Sequence, residues 1–162
     1  MINLEPALES LTVNKVEFVI VGGVAITAHG SAYLTEDLDF CYSRSKINLK
    51  NIVSALSIYK PRPRGFPENL PYIFDATTLQ NGTNFTFRTT IGDIDLLGEV
   101  AGIGIYNDAV EQSELKSIFG YEVKILSVEG LIKAKRAAGR TKDLLVLPEL
   151  EALREISTDK ED

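Results

Sequence analysis

The stretch VEFVIVGG at residues 16–23 decides the fold of this chain. Its first six residues are almost wholly apolar and rich in β-branched and aromatic side chains, which is typical of a strand buried on both faces. Gly22-Gly23 ends the strand, and the compact stretch VAITAH at 24–29 predicts a short helix after it. Such a turn offers free backbone N–H groups and a positive dipole end, so we predict that Gly22 and Gly23 hold an anion such as phosphate.

Two aspartates separated by one apolar residue follow this glycine corner, in the motif Asp37-Leu38-Asp39. The stretch LDFCY at 38–42 alternates and predicts a second strand. On a strand both carboxylates project from one face, with their backbones roughly 6.7 Å apart. At about 5 Å between carboxylates and an effective dielectric constant of about 20, they repel by roughly 3 kcal/mol. The pair therefore requires a cation, a raised pKa or exposure to water, and a divalent metal is the first interpretation.

Taken singly, the glycine pair is an ordinary turn and the acidic pair a solvated strand end, but their order resembles a known superfamily. Val21-Gly22-Gly23 followed by Asp37-Leu38-Asp39-Phe40 is similar to the motif of the nucleotidyltransferases related to DNA polymerase beta, at the long end of that family's spacing. The finer resemblance is to a bacterial branch that contains abortive-infection-type toxins, through Val24-Ala25, His29-Gly30 and Thr35. One position departs, because Tyr33 stands where that branch has an arginine.

The resemblance implies a third carboxylate on a later strand. The stretch DIDLL at 93–97 follows Gly92, and the family pattern points to Asp95. Asp93 shares its face on a strand, so both remain open. In such enzymes the three carboxylates, here Asp37, Asp39 and Asp95, hold two Mg²⁺ ions, with Mn²⁺ as an alternative. The third carboxylate can also accept the proton of the attacking hydroxyl.

The C-terminal third supplies cations. Ser127 is a plausible helix cap, and the residues after it form an apolar stripe at helical spacing on which Lys135 also falls. A lysine on the buried side of a helix is costly to desolvate unless its ammonium group meets an anion or extends to the solvent at the edge of the interface. The cluster consists of Lys133, Lys135, Arg136, Arg140 and Lys142. We interpret it as the phosphate side of a cleft, with a solvated basic face as the alternative.

The same segment extends the resemblance. The stretch KRAAGR at 135–140, followed by Lys142-Asp143, is similar to the toxin-type branch. This implies that Lys135, and with it Asp143, belongs to the active centre. Together with Gly22 and Gly23, the residues expected to bind the nucleotide are Thr35, Lys135 and Arg140.

A proline-rich segment, residues 61–71, interrupts the regular pattern. Each proline lacks a backbone donor and restrains the residue before it, so the segment is predicted to contain no regular structure. Lys60, Arg62 and Arg64 flank Phe66 there, a set that could clamp a polyanion or a base. An ordinary surface loop is the alternative.

The pattern of elements predicts one α/β domain, and the resemblance implies a mixed central sheet flanked by helices, a minimal nucleotidyltransferase fold with a short helical extension. We expect a core over 1–126, C-terminal helices over 127–157 and a disordered tail over 158–162. Further predicted elements are helices over 5–11, 47–59 and 144–156 and strands over 84–90, 93–97 and 121–126, the last of them an edge strand.

Composition excludes several classes of site. With 162 residues, one cysteine and one histidine, the chain cannot build a zinc site or a histidine-based triad from its own side chains. Cys41 is expected in the core, and His29 either touches a ligand or closes the short helix.

No apolar run is long enough to span a bilayer, so we expect a cytoplasmic protein. A net charge of −6 disfavours extensive nonspecific binding to nucleic acid but allows a local basic rim.

The functional hypothesis is metal-dependent transfer of a nucleoside monophosphate from a nucleoside triphosphate to an acceptor hydroxyl. The resemblance suggests RNA, such as the end of a transfer RNA, or a protein as acceptor, and an antitoxin as partner. One alternative is a nucleotide-binding regulatory module of the same fold without turnover. Another is a drug-modifying enzyme, although the usual larger helical substrate domain of those enzymes has no room here. A metal-dependent phosphodiesterase would usually add histidines, and this chain has one.

Overall fold

The computed structural model describes residues 1–32 and 35–161. The strands are β1 (Phe18–Ile20), β2 (Asp37–Tyr42), β3 (Arg62–Pro63), β4 (Asn84–Thr89), β5 (Gly92–Leu97), β6 (Glu99–Val100), β7 (Gly104–Ile105), β8 (Ser113–Ile118) and β9 (Tyr121–Leu126). The helices are α1 (Leu4–Val13), α2 (Gly23–Ala28), α3 (Lys46–Leu56), α4 (Ala76–Gln80), α5 (Tyr106–Glu111), α6 (Val128–Ala138) and α7 (Thr141–Glu161), and a 3₁₀ turn covers Ser57–Tyr59.

Seven strands form one mixed sheet in the order β3-β4-β5-β2-β1-β9-β8, and β6 and β7 form a separate two-stranded ribbon. Strand β2 is antiparallel to β1 and parallel to β5, whereas β1 is parallel to β9. The predicted mixed α/β architecture is therefore confirmed. The prediction that 121–126 is an edge strand is wrong, because β8, which the sequence pattern did not reveal, covers that edge of β9.

The pairing of β2 with β5 positions the carboxylates. Asp37 lies opposite Asp93, and Asp39 lies opposite Asp95. Since directly paired residues point to the same side of a sheet, all four carboxylates project from one face. The alternate residues of the same two strands, Leu38, Phe40, Ile94 and Leu96, are fully buried on the other face. The hydrophobic core thus fixes which face carries the acids.

Buried polar contacts fasten α3 to the sheet. Asn48 in the first turn of α3 is fully buried, and its amide pairs with both the N–H and the carbonyl of Glu17, at 2.7 and 3.1 Å. The hydroxyl of Ser45 caps the same helix by accepting from the N–H of Asn48 at 3.2 Å. These bonds satisfy groups that would otherwise be costly to bury.

The proline-rich segment differs from its prediction. Arg62 and Pro63 form the short edge strand β3, in which Arg62 pairs with Arg88 and Pro63 with Phe87 of β4. A proline is tolerated there because an edge strand does not need every backbone donor. The prediction that this segment lacks regular structure is wrong at these two positions.

The C-terminal helices begin as local signals suggest. The hydroxyl of Ser127 accepts from the N–H of Gly130 at 3.1 Å, and Gly139 ends α6 in the left-handed conformation with φ +66°. Helix α7 begins at Thr141, earlier than predicted, and runs through Pro148. Where a disordered tail was predicted for 158–162, the helix continues to Glu161, and Asp162 lies outside the described residues.

None of the helices within 1–32 and 35–161 combines the length and apolar character needed to cross a bilayer.

Candidate active site

Three carboxylates converge at the β2–β5 pair. Asp37, Asp39 and Asp95 each place a carboxylate oxygen within 4.8 Å of the others. The parallel register produces this cluster, because Asp39 and Asp95 are direct neighbours across the two strands. The structure therefore brings together the three aspartates named from the sequence.

Asp93, the alternative third carboxylate, lies in the cross-strand pair next to that of Asp39 and Asp95. It is opposite Asp37 and is not a member of the trio of oxygens. Its carboxylate instead lies 3.5 Å from the guanidinium of Arg64. Geometry therefore favours Asp95 as the third member.

The glycine corner packs directly against Asp39. A Cβ atom added to Gly22 would lie 2.8 Å from Cγ and 2.9 Å from Cβ of Asp39, closer than real side chains approach. The backbone N–H of Val21 also donates to the carbonyl of Asp39 at 3.0 Å. Gly22 is thus required to make room for a carboxylate, a steric role that the sequence analysis did not anticipate. The phosphate role of Gly22 and Gly23 stays a prediction.

An open cleft of about 340 Å³ leads to the carboxylates. It contains the predicted nucleotide-side residues together with the acidic cluster. Its lining consists of Gly23, Thr35, Glu36, Asp37, Asp39, Asp95, Lys135, Arg140 and Lys142. The hydroxyl of Thr35 donates to the carbonyl of Asp37 at 2.9 Å, which joins the segment before β2 to the acidic strand. Tyr33 lies outside the described residues.

Burial and mutual repulsion raise the pKa values of two of the carboxyl groups. Desolvation is the largest cause for Asp39, followed by the charge of Asp37. Desolvation and the charge of Asp39 raise the pKa of Asp95 to about 7, against the opposing effect of Arg64. Each carboxylate would be stabilised in its charged form by a nearby cation.

The donor set fits a hard divalent cation. Oxygen atoms of three carboxylates are the ligands that Mg²⁺ and Mn²⁺ prefer. Within the described part of the chain, Oδ1 of Asp39 is buried without a hydrogen-bond partner. A buried carboxylate oxygen without a partner is costly, so this atom has an unused capacity for a ligand.

Arg64 lies among the carboxylates, a position that the sequence analysis missed. Its guanidinium lies 3.4 Å from Asp37 and 3.5 Å from Asp93, and it also contacts Asp95. From the sequence, Arg64 was expected in a loop that could clamp a polyanion. The signal that could have located it is the alternation of Arg62 and Arg64, which share one face of β3 and its extension.

A buried carboxylate organises the cations of α6 and α7. Asp143 is fully buried and receives hydrogen bonds from Lys135 at 3.2 Å and from the Nε of Arg140 at 2.7 Å. Burial would raise the pKa of Asp143, but the bonds from Arg140 and Lys135 outweigh it and hold that pKa below its usual value. Lys135 and Arg140 both line the cleft, so Asp143 fixes two cations beside the acidic cluster. Lys133 and Arg136 do not line it.

The lone histidine and cysteine have structural surroundings. His29 pairs through Nε2 with the carbonyl of Leu126 at 2.8 Å and lies 3.5 Å from Glu114. These contacts fasten the end of α2 to the β9 side of the sheet. Cys41 is buried in β2, and desolvation raises the pKa of its thiol to about 11, as expected of a core residue.

No family model and no curated protein matches this sequence. Three solved structures share the architecture. The lincosamide antibiotic adenylyltransferase LnuA, solved with lincomycin bound, has a TM-score of 0.61 at 12% identity, over 93% of this chain and 95% of that one. A candidate nucleotidyltransferase of Thermotoga maritima has a TM-score of 0.54 at 14% identity, over 98% of this chain and 96% of that one. The antibiotic-resistance factor ANT(2'')-Ia has a TM-score of 0.53 at 15% identity, over 98% of this chain and 90% of that one.

The larger helical substrate domain that is usual in drug-modifying enzymes has no room in this chain, yet LnuA is covered over 95% of its length. The lack of room for such a domain therefore does not count against the drug-modifying alternative. The toxin-type branch stays a prediction. The chain has the fold of these nucleotidyltransferases.

Proposed function

We propose that this protein transfers a nucleoside monophosphate from a nucleoside triphosphate to an acceptor hydroxyl. The observation that carries the proposal is the convergence of Asp37, Asp39 and Asp95 within 4.8 Å beside the glycine corner. On a nucleotidyltransferase fold this cluster lies at the mouth of a cleft whose other wall is cationic. Opposite charges on facing walls suit a triphosphate held through metal ions.

Asp37, Asp39 and Asp95 would hold two Mg²⁺ ions, or Mn²⁺ in their place. When bound, such ions neutralise the triphosphate and lower the pKa of the acceptor hydroxyl. Asp95 would also take up the proton of that hydroxyl, the role that the resemblance implies for the third carboxylate. The unpartnered oxygen of Asp39 supports a direct role for this residue in holding the cation.

Lys135 and Arg140 would bind the phosphates of the nucleotide. Asp143 holds both side chains at the cleft, so they need little further ordering when an anion arrives. Gly23 and Thr35 line the same cleft and would complete the nucleotide side together with Gly22. Lys135 is the cation best placed to neutralise charge that develops during transfer, because it lines the cleft with only 20% of its side chain exposed.

RNA is the first candidate acceptor, with a protein hydroxyl beside it. Lys60, Arg62 and Arg88 line a separate pocket of about 340 Å³ together with Phe66. Arg62 pairs with Arg88, and Arg88 with Asp93, so these arginines lie on the same face of the sheet as the carboxylates; Glu68 also lines the pocket. Cations with an aromatic ring are suited to phosphates and bases of a single strand. A toxin role with an antitoxin partner is supported by the resemblance alone.

A small-molecule acceptor is the second candidate. It is favoured by the likeness to LnuA, whose structure contains lincomycin. A further cleft of about 200 Å³ shares Asp39, Lys135 and Arg140 with the first and adds apolar side chains such as Val100 and Ala134. Such a cleft suits a compact organic acceptor better than a polynucleotide. A module that binds nucleotide without turnover would show neither acceptor activity.

The deciding experiment uses Asp39→Asn. Each labelled nucleoside triphosphate is incubated with Mg²⁺ and either total cellular RNA, total protein or a panel of hydroxylated antibiotics. We expect transfer to one acceptor class by the natural protein and a loss of at least about 1,000-fold in the variant, since a metal ligand is removed. Circular dichroism should show an unchanged fold. Turnover retained by Asp39→Asn would contradict the proposal, and nucleotide binding without pyrophosphate release would favour the regulatory module.

A further inference from the structure

The guanidinium of Arg64 lies where a cation bound by the acidic cluster would lie. Its Nη1 is 3.4 Å from Asp37 and 3.5 Å from Asp93, and its Nη2 donates to Oδ1 of Asp95. Asp37 and Asp95 both belong to the acidic cluster, so the Arg64 side chain contacts two of the three carboxylates in it. Within the described part of the chain, Nε of Arg64 is buried without a hydrogen-bond partner.

We propose that Arg64 and the metal ions exclude one another, so that Arg64 is the internal counter-ion of the metal-free protein and must leave the carboxylates when metal enters. The inference rests on the proposed function in one respect, namely that the cluster binds divalent metal. It adds a positioning residue whose side chain moves when metal is loaded.

The exclusion follows from space and charge. Mg²⁺ approaches carboxylate oxygens to about 2.1 Å, so it would occupy the volume in which the Arg64 nitrogen atoms now lie. The same oxygen of Asp95 cannot serve a guanidinium hydrogen bond and a metal bond in one direction. The two cations would also repel each other at contact distance in a partly buried site.

The unpartnered Nε indicates that Arg64 is not held there by a complete set of hydrogen bonds. A buried donor without an acceptor is unfavourable, and it regains a partner when the side chain moves into water. The contacts with the carboxylates therefore hold Arg64 in place. A metal ion that neutralises the same carboxylates would weaken these contacts.

The backbone around Arg64 permits the movement. Strand β3 is a two-residue edge strand, and beyond it the N–H of Arg64 donates to the carbonyl of Thr86 at 3.0 Å. The next residue, Gly65, has φ +80° and nothing within 4 Å of a Cβ built on it. Arg62 fastens the following loop by donating to the carbonyls of Pro67 and Leu70, at 2.8 and 2.7 Å. The guanidinium of Arg64 can therefore swing out without unfolding the loop.

The test compares Arg64→Gln with Arg88→Gln. Arg88 projects from the same sheet face, because it pairs with Asp93, but its ion-pair partner is Glu68. Both variants remove one positive charge, but only Arg64→Gln removes a cation that contacts the carboxylate cluster. Calorimetry with Mn²⁺ alone, without nucleotide, should show binding at least about tenfold tighter for Arg64→Gln and less than about threefold tighter for Arg88→Gln, since the exposed charge of Arg88 is paired with Glu68 and screened by solvent.

A second measurement uses the natural protein. In nitrogen-15 NMR spectra the Nε–H of Arg64, assigned by its absence in Arg64→Gln, should exchange slowly with water before Mg²⁺ is added and fast afterwards. The protection is expected because Nε is buried, and its loss reports the departure of the side chain. The exchange rates are measured on the natural protein, and Arg64→Gln serves only for the assignment.

The outcomes separate this inference from the proposed function. Equal tightening in both variants, weaker metal binding in Arg64→Gln, or an Nε–H that stays protected in Mg²⁺ would each overturn the inference. Absence of metal binding in all three proteins would overturn it together with the metal role in the proposed function. Tighter binding in Arg64→Gln alone, in a protein that transfers no nucleotide, would support the inference while the proposed function fails.

Discussion

The ammonium of Lys135 lies 3.2 Å from the carboxylate of Asp143, which is fully buried between α6 and α7. Asp143 also receives the guanidinium of Arg140, so a single carboxylate positions two cations at the cleft. The packing of the C-terminal helices therefore shapes the proposed nucleotide site, because both cations are held in their present positions by the buried Asp143.

We expect Asp143→Asn to weaken nucleotide binding by about tenfold, because Lys135 and Arg140 lose the charge that orders them. The free energy of unfolding should fall by about 1–2 kcal/mol, since both cations can still reach water. Calorimetric titration with nucleotide and urea unfolding measure the two effects. The control is Arg136→Gln, which breaks an exposed pair with Glu151 and should change neither by much. Unchanged nucleotide affinity in Asp143→Asn would contradict the positioning role.

Asp95→Asn should stabilise the metal-free protein, and more so at high pH. Burial raises the pKa of Asp95 to about 7 in the folded state, above its value of about 3.9 in the unfolded chain. The folded state therefore binds the proton more tightly, and its stability falls as pH rises from about 4 to 7. Above pH 7 the full penalty is present, and the uncharged asparagine removes it.

Urea unfolding in the presence of a chelator checks this at pH 5 and pH 8. We expect the stabilisation by Asp95→Asn to be larger at pH 8 by about 3 kcal/mol. Asp93→Asn is the matched control from the same strand and face. An equal effect of Asp95→Asn at both pH values would show that the carboxyl group has an ordinary pKa in the folded protein.

Gly22→Ala should displace the carboxylate of Asp39, because the added Cβ would lie 2.8 Å from its Cγ. We expect metal affinity and nucleotide transfer to fall by at least about tenfold, since sub-ångström shifts in a ligand set are costly. Gly120→Ala is the control: its φ of +82° makes the substitution strained, but nothing lies within 4 Å of the new atom. Both variants should lose some stability, and only the first should lose metal binding, as measured by Mn²⁺ titration. Equal losses of metal affinity would point to general destabilisation.

The acceptor proposal predicts a selective effect of charge reversal beside the carboxylates. The double substitution Lys60→Glu and Arg88→Glu should slow transfer to RNA by at least about tenfold at low salt, and less at high salt, because phosphate contacts release counterions. Transfer to a small-molecule acceptor should stay within about twofold, since a screened surface charge has little effect on a compact ligand.

The matched control reverses Lys116 and Lys124, which lie on β8 and β9 on the far side of the sheet order from β3. The initial rate of transfer from labelled nucleotide is measured for the natural protein and both double variants, with each acceptor. Equal slowing of RNA transfer by both double variants would mean that only net charge matters.

Local patterns in the sequence determined much of this protein. The apolar run before Gly22 predicts β1, and the alternation of 38–42 places Asp37 and Asp39 on one face of β2. Ser127 and Gly139 delimit α6, and a single cysteine and histidine exclude whole classes of site. These features depend on residues within a few positions of one another, so strand and helix periodicity suffices to find them.

The tertiary structure decided which distant residues meet. The parallel pairing of β2 with β5 brought Asp95 within 4.8 Å of Asp37 and Asp39, and β3 carried Arg64 to Asp95, an acid 31 positions away in the chain. Strand β8, which covers β9, alternates too weakly in burial to be recognised locally. Each of these contacts depends on the order and register of strands, which the packing of the whole core selects and which no short stretch of sequence contains.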